Sequence, residues 1–143
     1  MHKILFVCHG NICRSPIAEF VMKDLVRKAG RTAEFEIASV AVSREELGNP
    51  IYPPAQRELC RHGVPFDHRR VRQITDGDIA HFDHIYYMDG SNARYLRRMF
   101  GDKADKCRSL LGRDVADPWY SGDFAQTWED ILTGCTKILE ELT

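Results

Sequence analysis

The chain has 143 residues, 43% of them hydrophobic, and its 20 Lys and Arg against 21 Asp and Glu leave a formal net charge of −1. That length suits one domain with a real core (residues 1–143), and the near-neutral balance gives no reason to expect a nucleic-acid partner or a charged membrane surface. No apolar run approaches the ~20 residues of a membrane span and no signal peptide is expected before the first strand, while five cysteines without a CxxC pair read as reduced thiols of a cytoplasmic protein rather than as a disulfide framework or a zinc site.

In chain order, residues 2–7 read as a buried strand and residues 15–29 as a helix. Ile17, Phe20, Val21 and Leu25 share one face of that helix, and Gly30 stands just past its end. Residues 35–39 read as a second strand, which completes a βαβ unit and implies a parallel sheet with a right-handed crossover. The stretch 39–53 holds too much Gly, Asn and Pro for an element and is expected to be a loop leaving the end of a parallel strand, where α/β proteins place their sites. Residues 54–62 read as a helix stopped by Gly63, with Cys60 expected to face the core. Thr75-Asp76-Gly77-Asp78 has the form of a capping box before a short helix. A third strand is expected over 83–88, a helix to about Phe100 with Gly101 as its stop, and a fourth strand over 107–111. The last helix is expected to start at Asp123, with Gln126 in the capping-box position. Phe124, Trp128, Ile131, Leu132, Cys135, Ile138, Leu139 and Leu142 recur along it with a helical period and read as core. The expectation is an α/β fold: a single-domain three-layer sandwich with a four-stranded parallel sheet, helices on both faces, and a phosphate-binding loop near the N-terminus.

That loop is Val7-Cys8-His9-Gly10-Asn11-Ile12-Cys13-Arg14-Ser15-Pro16. A strand, a tight turn and a helix N-terminus in succession bring backbone N–H groups and the positive end of a helix dipole to one point. A free thiol ionises near pH ~8.5, and a helix N-terminus or a nearby cation can lower that to roughly 3.5–7.5, so Cys8 is placed to be a nucleophile. Arg14 can donate two parallel hydrogen bonds to a tetrahedral oxyanion. Gly10 and Asn11 tolerate positive φ, the Ser15 hydroxyl can donate to the cysteine sulfur or cap the helix, and Pro16 suits the first helical position. A cysteine followed six positions later by an arginine is weak evidence alone, and the chain holds a second instance in Cys107 and Arg113. There, Leu110 and Leu111 stand where a phosphate loop needs small turn-formers, and no helix pattern follows.

A phosphate ester also needs a proton for its leaving oxygen, and a carboxylic acid suits that task. In Asp114-Val115-Ala116-Asp117-Pro118-Trp119-Tyr120, Asp117 reads either as that acid or as a common Asp-Pro turn opener. Asp114 is its neighbouring competitor and is expected at the surface. Trp119 and Tyr120 supply flat aromatic faces. His9 is expected at the loop rim, and no partner ligands stand at a spacing that would make it a metal ligand.

The Cys8–Pro16 segment resembles the signature of the low-molecular-weight protein tyrosine phosphatases, and the resemblance extends over essentially the whole chain. Asp117-Pro118-Trp119-Tyr120 is similar to the family's Asp-Pro-Tyr-Tyr segment, with Trp119 for the first Tyr, and Met88-Asp89-Gly90-Ser91-Asn92 to its Met-Asp-Glu-Ser-Asn segment, with Gly90 for Glu. The resemblance implies a metal-independent, cofactor-free protein tyrosine phosphatase acting on a tyrosine-phosphorylated protein or a small aryl phosphate and releasing inorganic phosphate, as a monomer or weak dimer. By it, Cys8 attacks phosphorus to give a cysteinyl-phosphate, Asp117 is the acid and later the base for water, and Arg14 holds the equatorial oxygens with the amides of His9, Gly10, Asn11, Ile12, Cys13, Arg14 and Ser15. Asn11, Ser15 and Ser39 would support the loop's shape, joined by a downstream residue that is either His68 or Arg69. Trp119 and Tyr120 would flank the substrate ring, and Glu45 would stand where the family often has a Trp. Cys13 either forms a reversible disulfide with Cys8, guarding it from overoxidation, or fills space. A thiol-dependent arsenate reductase of the same fold is the alternative activity. It needs further cysteines to relay a disulfide outward, and Cys60, Cys107 and Cys135 are scattered.

Overall fold

The molecule is organised around β1, His2–Cys8, whose residues Ile4 to Val7 are all completely buried. The computed structural model describes residues 1–143. Successive β1 side chains point to opposite faces, and the core divides accordingly. Ile4, Phe6 and Cys8 belong to the larger apolar cluster, and Leu5 and Val7 to the smaller. A strand apolar on both faces belongs in the middle of a parallel sheet covered on both sides.

The other elements follow from that position. Helix α1, Arg14–Lys28, returns the chain to β2, Phe35–Ala41, which pairs parallel with β1 from His2↔Phe35 to Cys8↔Ala41. Next come α2, Pro53–Arg61, and α3, Asp76–His81. Strand β3, His84–Tyr87, pairs parallel with the other edge of β1. Helix α4, Gly90–Phe100, leads through a 3-10 turn to β4, Cys107–Ser109, parallel to β3. The one-turn helix α5, Pro118–Ser121, precedes α6, Phe124–Glu141. The sheet order is β2-β1-β3-β4 with every pairing parallel. Ile17, Phe20 and Val21 of α1 and Trp128, Ile131 and Cys135 of α6 fill the larger cluster. Ile79 of α3 and Leu96 of α4 fill the smaller, on the other face. This is the expected α/β sandwich, a four-stranded parallel sheet with helices on both faces.

Several boundaries differ from the sequence reading for identifiable reasons. Strand β2 runs two residues further, to Ala41, because Ala41 finds a second parallel partner in Gln73. Strand β4 has three residues rather than five; Leu110 beyond it is buried by α6, coming so near Gly134 that a Cβ there would lie 2.5 Å from Leu110 Cγ. Cys60 is exposed, not in the core. Helix α2 buries Ala55, Glu58 and Leu59, and the next residue is turned about 100° away. The buried Glu58 carboxylate is met by Arg61 at 2.5 Å and by His62 at 2.9 Å. The capping box of α3 forms with Thr75 and Asp78, but at α6 only half of one does: Asp123 accepts from the Gln126 N–H, while the Gln126 amide turns to Asp130.

Candidate active site

Residues 8–14 form a loop at the carboxyl end of the central strand, between β1 and α1. The Cys8 side chain lies at its base, 4% exposed. Asn11 has φ 59, the only non-glycine residue with positive φ, and is itself fully buried. That turn aims the Asn11 N–H at Cys8 Sγ, 3.2 Å away. The Asn11 side-chain amide donates to Ser15 Oγ at 2.6 Å, and Ser15 Oγ lies 3.0 Å from the same sulfur. Because the Ser15 oxygen already accepts from Asn11, its own proton is free to point at Cys8. Gly10, expected to use positive φ, does not. Its lack of a side chain instead admits Glu46, whose Cγ would stand 3.2 Å from a Cβ there.

Arg14 is 3% exposed. Nη1 donates to the Val115 carbonyl at 3.0 Å, and Nη2 lies 2.9 Å from Asp89 Oδ2 and 3.3 Å from Asp117 Oδ2. Burial works against its charge, but Cys8, Asp117 and Asp89 outweigh that and hold its pKa above the ordinary value. Asp117 caps α5 by accepting from the Trp119 N–H at 3.1 Å through Oδ1, which leaves Oδ2 facing Arg14. Proline at the first position of α5 stiffens that cap. The loop carrying Asp117 is tied to α6: Asp130 accepts from the Ala116 N–H at 3.2 Å, and the Thr127 hydroxyl donates to the Ala116 carbonyl at 2.9 Å.

These groups open into a cleft of about 370 Å³. Cys8, His9, Gly10, Asn11, Ile12, Cys13, Arg14, Glu45, Asp117, Trp119 and Tyr120, all singled out from the sequence, line it. Trp119 and Tyr120 are exposed on one side, with Trp119 leaning on Tyr52 at 5.0 Å between ring centres. His9 Nε2 lies 2.8 Å from Glu45 Oε2, and the His9 ring stands edge-on to Tyr95. The wall carrying Glu45 is fixed to the loop by backbone bonds from Val42 to the Cys8 carbonyl, Ser43 to His9, and Tyr52 to Ile12. Cys13 is buried, and burial, then its neighbour Cys8, push its thiol well above the ordinary range. No group of three or more His, Cys, Asp or Glu side chains gathers to hold a metal ion, and no helix is long and apolar enough to cross a membrane.

The other candidates lie outside the cleft. Ser15 is completely buried beneath Cys8. Ser39 lies behind the loop and does not bond Asn11; it donates to Glu19 at 2.6 Å and accepts from Arg69 at 2.8 Å. Of the pair His68 and Arg69, it is Arg69 that reaches the loop, while His68 is exposed with its ring against Phe66. Asp114 is exposed, as expected, and accepts from the Gly90 N–H at 3.2 Å. The sequence reading gave no role to Asp89, Glu46, Ser91, Asn92 or Tyr95, all of which line the cleft. Asp89 carried a usable signal. It follows a parallel strand and precedes a helix, where Asp89 and Asn92 form a reciprocal capping box, so its carboxylate sits at the strand ends with one oxygen left for Arg14.

The family model for low molecular weight phosphotyrosine protein phosphatases matches residues 3–143. The low molecular weight protein-tyrosine-phosphatase YfkJ of Bacillus subtilis is 37% identical over 99% of this chain and 96% of that protein, and its crystal structure superimposes with a TM-score of 0.95. The human low molecular weight phosphotyrosine protein phosphatase is 39% identical over 96% of this chain and 94% of its own length. The crystal structure of SP-PTP, a low molecular weight protein tyrosine phosphatase from Streptococcus pyogenes, has 39% identity and a TM-score of 0.93, covering 100% of this chain and 94% of that one.

Proposed function

The chain belongs to the low molecular weight phosphotyrosine protein phosphatase family and is a phosphatase, and from that premise we propose that it hydrolyses phosphotyrosine and related aryl phosphates through a cysteinyl-phosphate on Cys8, with Asp117 as general acid and base. The observation that carries this reading is the convergence of Cys8 Sγ, the Arg14 guanidinium and the Asp117 carboxylate on one cleft at a helix N-terminus. In the first step the Cys8 thiolate forms an S–P bond as the P–O bond to the aryl oxygen breaks, and the Asp117 proton goes to that oxygen. In the second step water forms a new P–O bond, the S–P bond breaks, and Asp117 takes the water proton. Arg14 and the loop amides hold the equatorial oxygens, where charge must be stabilised. The Ser15 hydroxyl, 3.0 Å from the sulfur, favours the thiolate both as attacking and as leaving group.

Trp119 and Tyr120 supply aromatic faces for the substrate ring, and Glu45 an acidic group in the same cleft. A single sheet with its two flanking cores supports reading residues 1–143 as a single phosphatase domain, and five free thiols support a reducing, cytoplasmic setting. Arsenate reduction has less support. Only Cys8 and Cys13 line the cleft, Cys135 is fully buried against the Ala18 carbonyl, and burial pushes the Cys107 thiol up to about 11.

The test is hydrolysis of p-nitrophenyl phosphate and a phosphotyrosine peptide by wild type, Cys8→Ser and Asp117→Asn with chelator present. Turnover by wild type, none by Cys8→Ser and a fall of about 10²-fold or more in Asp117→Asn support the proposal. A wild type that binds vanadate yet turns over neither substrate overturns it.

A further inference from the structure

Helix α4 begins at the catalytic cleft and leaves it with an uncompensated positive face. Asp89, Ser91, Asn92 and Tyr95, at its start and along its first turns, line the cleft, while Arg94, Arg97 and Arg98 on the same helix are exposed. Residues 90–113 carry seven Lys and Arg against two Asp, in a chain whose formal net charge is −1. Several of those cations are paired: Arg97 with Asp105 at 2.6 Å, Lys103 with Asp76 at 3.3 Å, and Arg113 with Asp130 at 2.9 Å. Arg94 and Arg98 make no ion pair.

Arg94 turns back toward the start of the helix, where its Nη1 lies 3.3 Å from the place a Cβ on Gly90 would occupy. Gly90 stands where the similar family segment has Glu, so no carboxylate four residues ahead of Arg94 pairs with it. The Arg98 guanidinium lies over the Tyr95 ring, 5.4 Å from its centre. Arg94 and Arg98 are themselves four residues apart and repel one another, a repulsion that a bound anion relieves. Beside Arg94 and Arg97 the surface sinks into a depression of about 300 Å³, which Leu96, Ala104 and Cys107 also line.

We infer that this face of α4 is a docking surface for an acidic segment of the phosphoprotein substrate, a few residues removed from its phosphotyrosine. The inference rests on the reading of the chain as a phosphotyrosine phosphatase. A phosphoprotein whose tyrosine enters the cleft brings its own backbone past α4, and this continuity with the cleft favours it over a nucleic acid or a membrane as the occupant. The helix rises about 12 Å from Gly90 to Arg98, a distance that about four residues of extended chain span. Carboxylates along that stretch meet two guanidinium groups with free N–H donors, and an apolar side chain between them fits the depression. Glu45 in the cleft disfavours acids next to the phosphotyrosine, so the two features together select by position: acid at a distance, none adjacent.

The experiment measures kcat/KM for phosphotyrosine peptides with wild type, Arg94→Gln, Arg98→Gln, the double variant, and a control that combines Arg57→Gln with Lys137→Gln. The control removes the same charge from exposed positions on other helices. The peptides carry a four-residue Glu segment that starts three positions before or three positions after the phosphotyrosine, or the same segment as Gln. Wild type is expected to prefer the Glu peptide on one side about three- to tenfold at low salt, the size of two exposed charge contacts, and to lose that preference by about 0.5 M salt. Each single variant weakens the preference, the double variant abolishes it and the control keeps it. For p-nitrophenyl phosphate, kcat/KM stays within about twofold throughout, because the arginines do not touch the phosphate. Equal turnover of Glu and Gln peptides by wild type on both sides overturns the docking surface and leaves phosphotyrosine hydrolysis in place. A preference that survives in the double variant, or that the control loses equally, has the same meaning. Binding to phosphatidylserine vesicles that the double variant loses, with no peptide preference in wild type, would assign the face to a membrane and also overturns the inference. A wild type that hydrolyses neither the Gln peptides nor p-nitrophenyl phosphate sinks the proposed function, and the docking surface with it.

Discussion

Arg14 and Asp89 form a sheltered ion pair, Nη2 to Oδ2 2.9 Å, that joins the helix after the central strand to the turn after its neighbour β3. The arginine is 3% exposed and the aspartate side chain 19%. A guanidinium that must orient on an oxyanion gains from a partner that fixes its plane beforehand. Asp89→Asn keeps the capping geometry but removes the charge. A charged hydrogen bond is worth about 1.5–3 kcal/mol, so kcat/KM for aryl phosphates should fall roughly ten- to a hundredfold. Steady-state kinetics and vanadate inhibition check this, and an unchanged kcat/KM would remove Asp89 from the account.

In the proposed mechanism Asp117 donates a proton only where the leaving group needs one. In Asp117→Asn the loss should be large, about 10²- to 10⁴-fold in kcat, for a phosphotyrosine peptide or phenyl phosphate, and clearly smaller for an activated ester such as dinitrophenyl phosphate. A series of aryl phosphates of graded leaving-group pKa reads this directly. Equal losses across the series would show that Asp117 acts through Arg14, to which it is paired at 3.3 Å, and not as the acid.

Glu45 places a largely exposed carboxylate on the lining of the cleft that also holds Trp119 and Tyr120. It should repel peptides with acidic residues beside the phosphotyrosine. Glu45→Gln is expected to raise kcat/KM for such peptides about three- to tenfold and to leave p-nitrophenyl phosphate within twofold, with the difference shrinking at high salt. Peptide pairs differing only in flanking charge measure it. A variant that shifts the small substrate as much as the peptide would place Glu45 in binding of the phosphate itself.

Asp130 anchors the acid loop from α6. Burial alone would raise its pKa, but Arg113, the Ala116 N–H and Gln126 outweigh burial and hold it below the ordinary carboxylate value of 3.8. A carboxylate with a depressed folded pKa stabilises the protein above its unfolded value, and that contribution is lost as pH falls through the folded one. Asp130→Asn should therefore lower the denaturation midpoint at pH 7, and the gap to wild type should narrow progressively below about pH 4. Urea titrations across that range check the sign; a gap that widens toward low pH contradicts it.

At Gly134 a Cβ would stand 2.5 Å from Leu110 Cγ, close to the branch of that side chain rather than at its mobile tip. Alanine gains about 1 kcal/mol over glycine in a helix, and overpacking typically costs about 1–3 kcal/mol. Gly134→Ala is expected to lower the thermal midpoint. A raised midpoint would mean that Leu110 repacks freely.

Much of this architecture was legible because the sequence uses strong local signals. The apolar run Ile4–Val7 reads as a buried strand, and the Gly10-Asn11 turn before Ser15-Pro16 marks a loop entering a helix. Capping residues likewise disclosed α3 through Thr75 and Asp78. What escaped depends on tertiary partners. Asp89 and Glu19 look like ordinary helix-associated acids until the fold sets Arg14 and Arg69 beside them. Cys60 was misjudged because one position along α2 separates a buried side chain from an exposed one. His68 and Arg69 could not be separated by sequence, since adjacent residues of an irregular segment point to different sides and only packing decides which turns inward.

The most direct test of the account is to trap the covalent intermediate. Asp117→Asn, slowed in hydrolysis of the intermediate but little in its formation from an activated ester, is mixed with excess radiolabelled dinitrophenyl phosphate, quenched within milliseconds to seconds, and digested for mapping of the label. The account predicts up to one equivalent of phosphate per chain on the peptide holding Cys8, a burst of phenol ahead of free phosphate, and neither in Cys8→Ser. Turnover without a burst and without label on that peptide would mean that water attacks phosphorus directly, and Cys8 would lose its place as nucleophile.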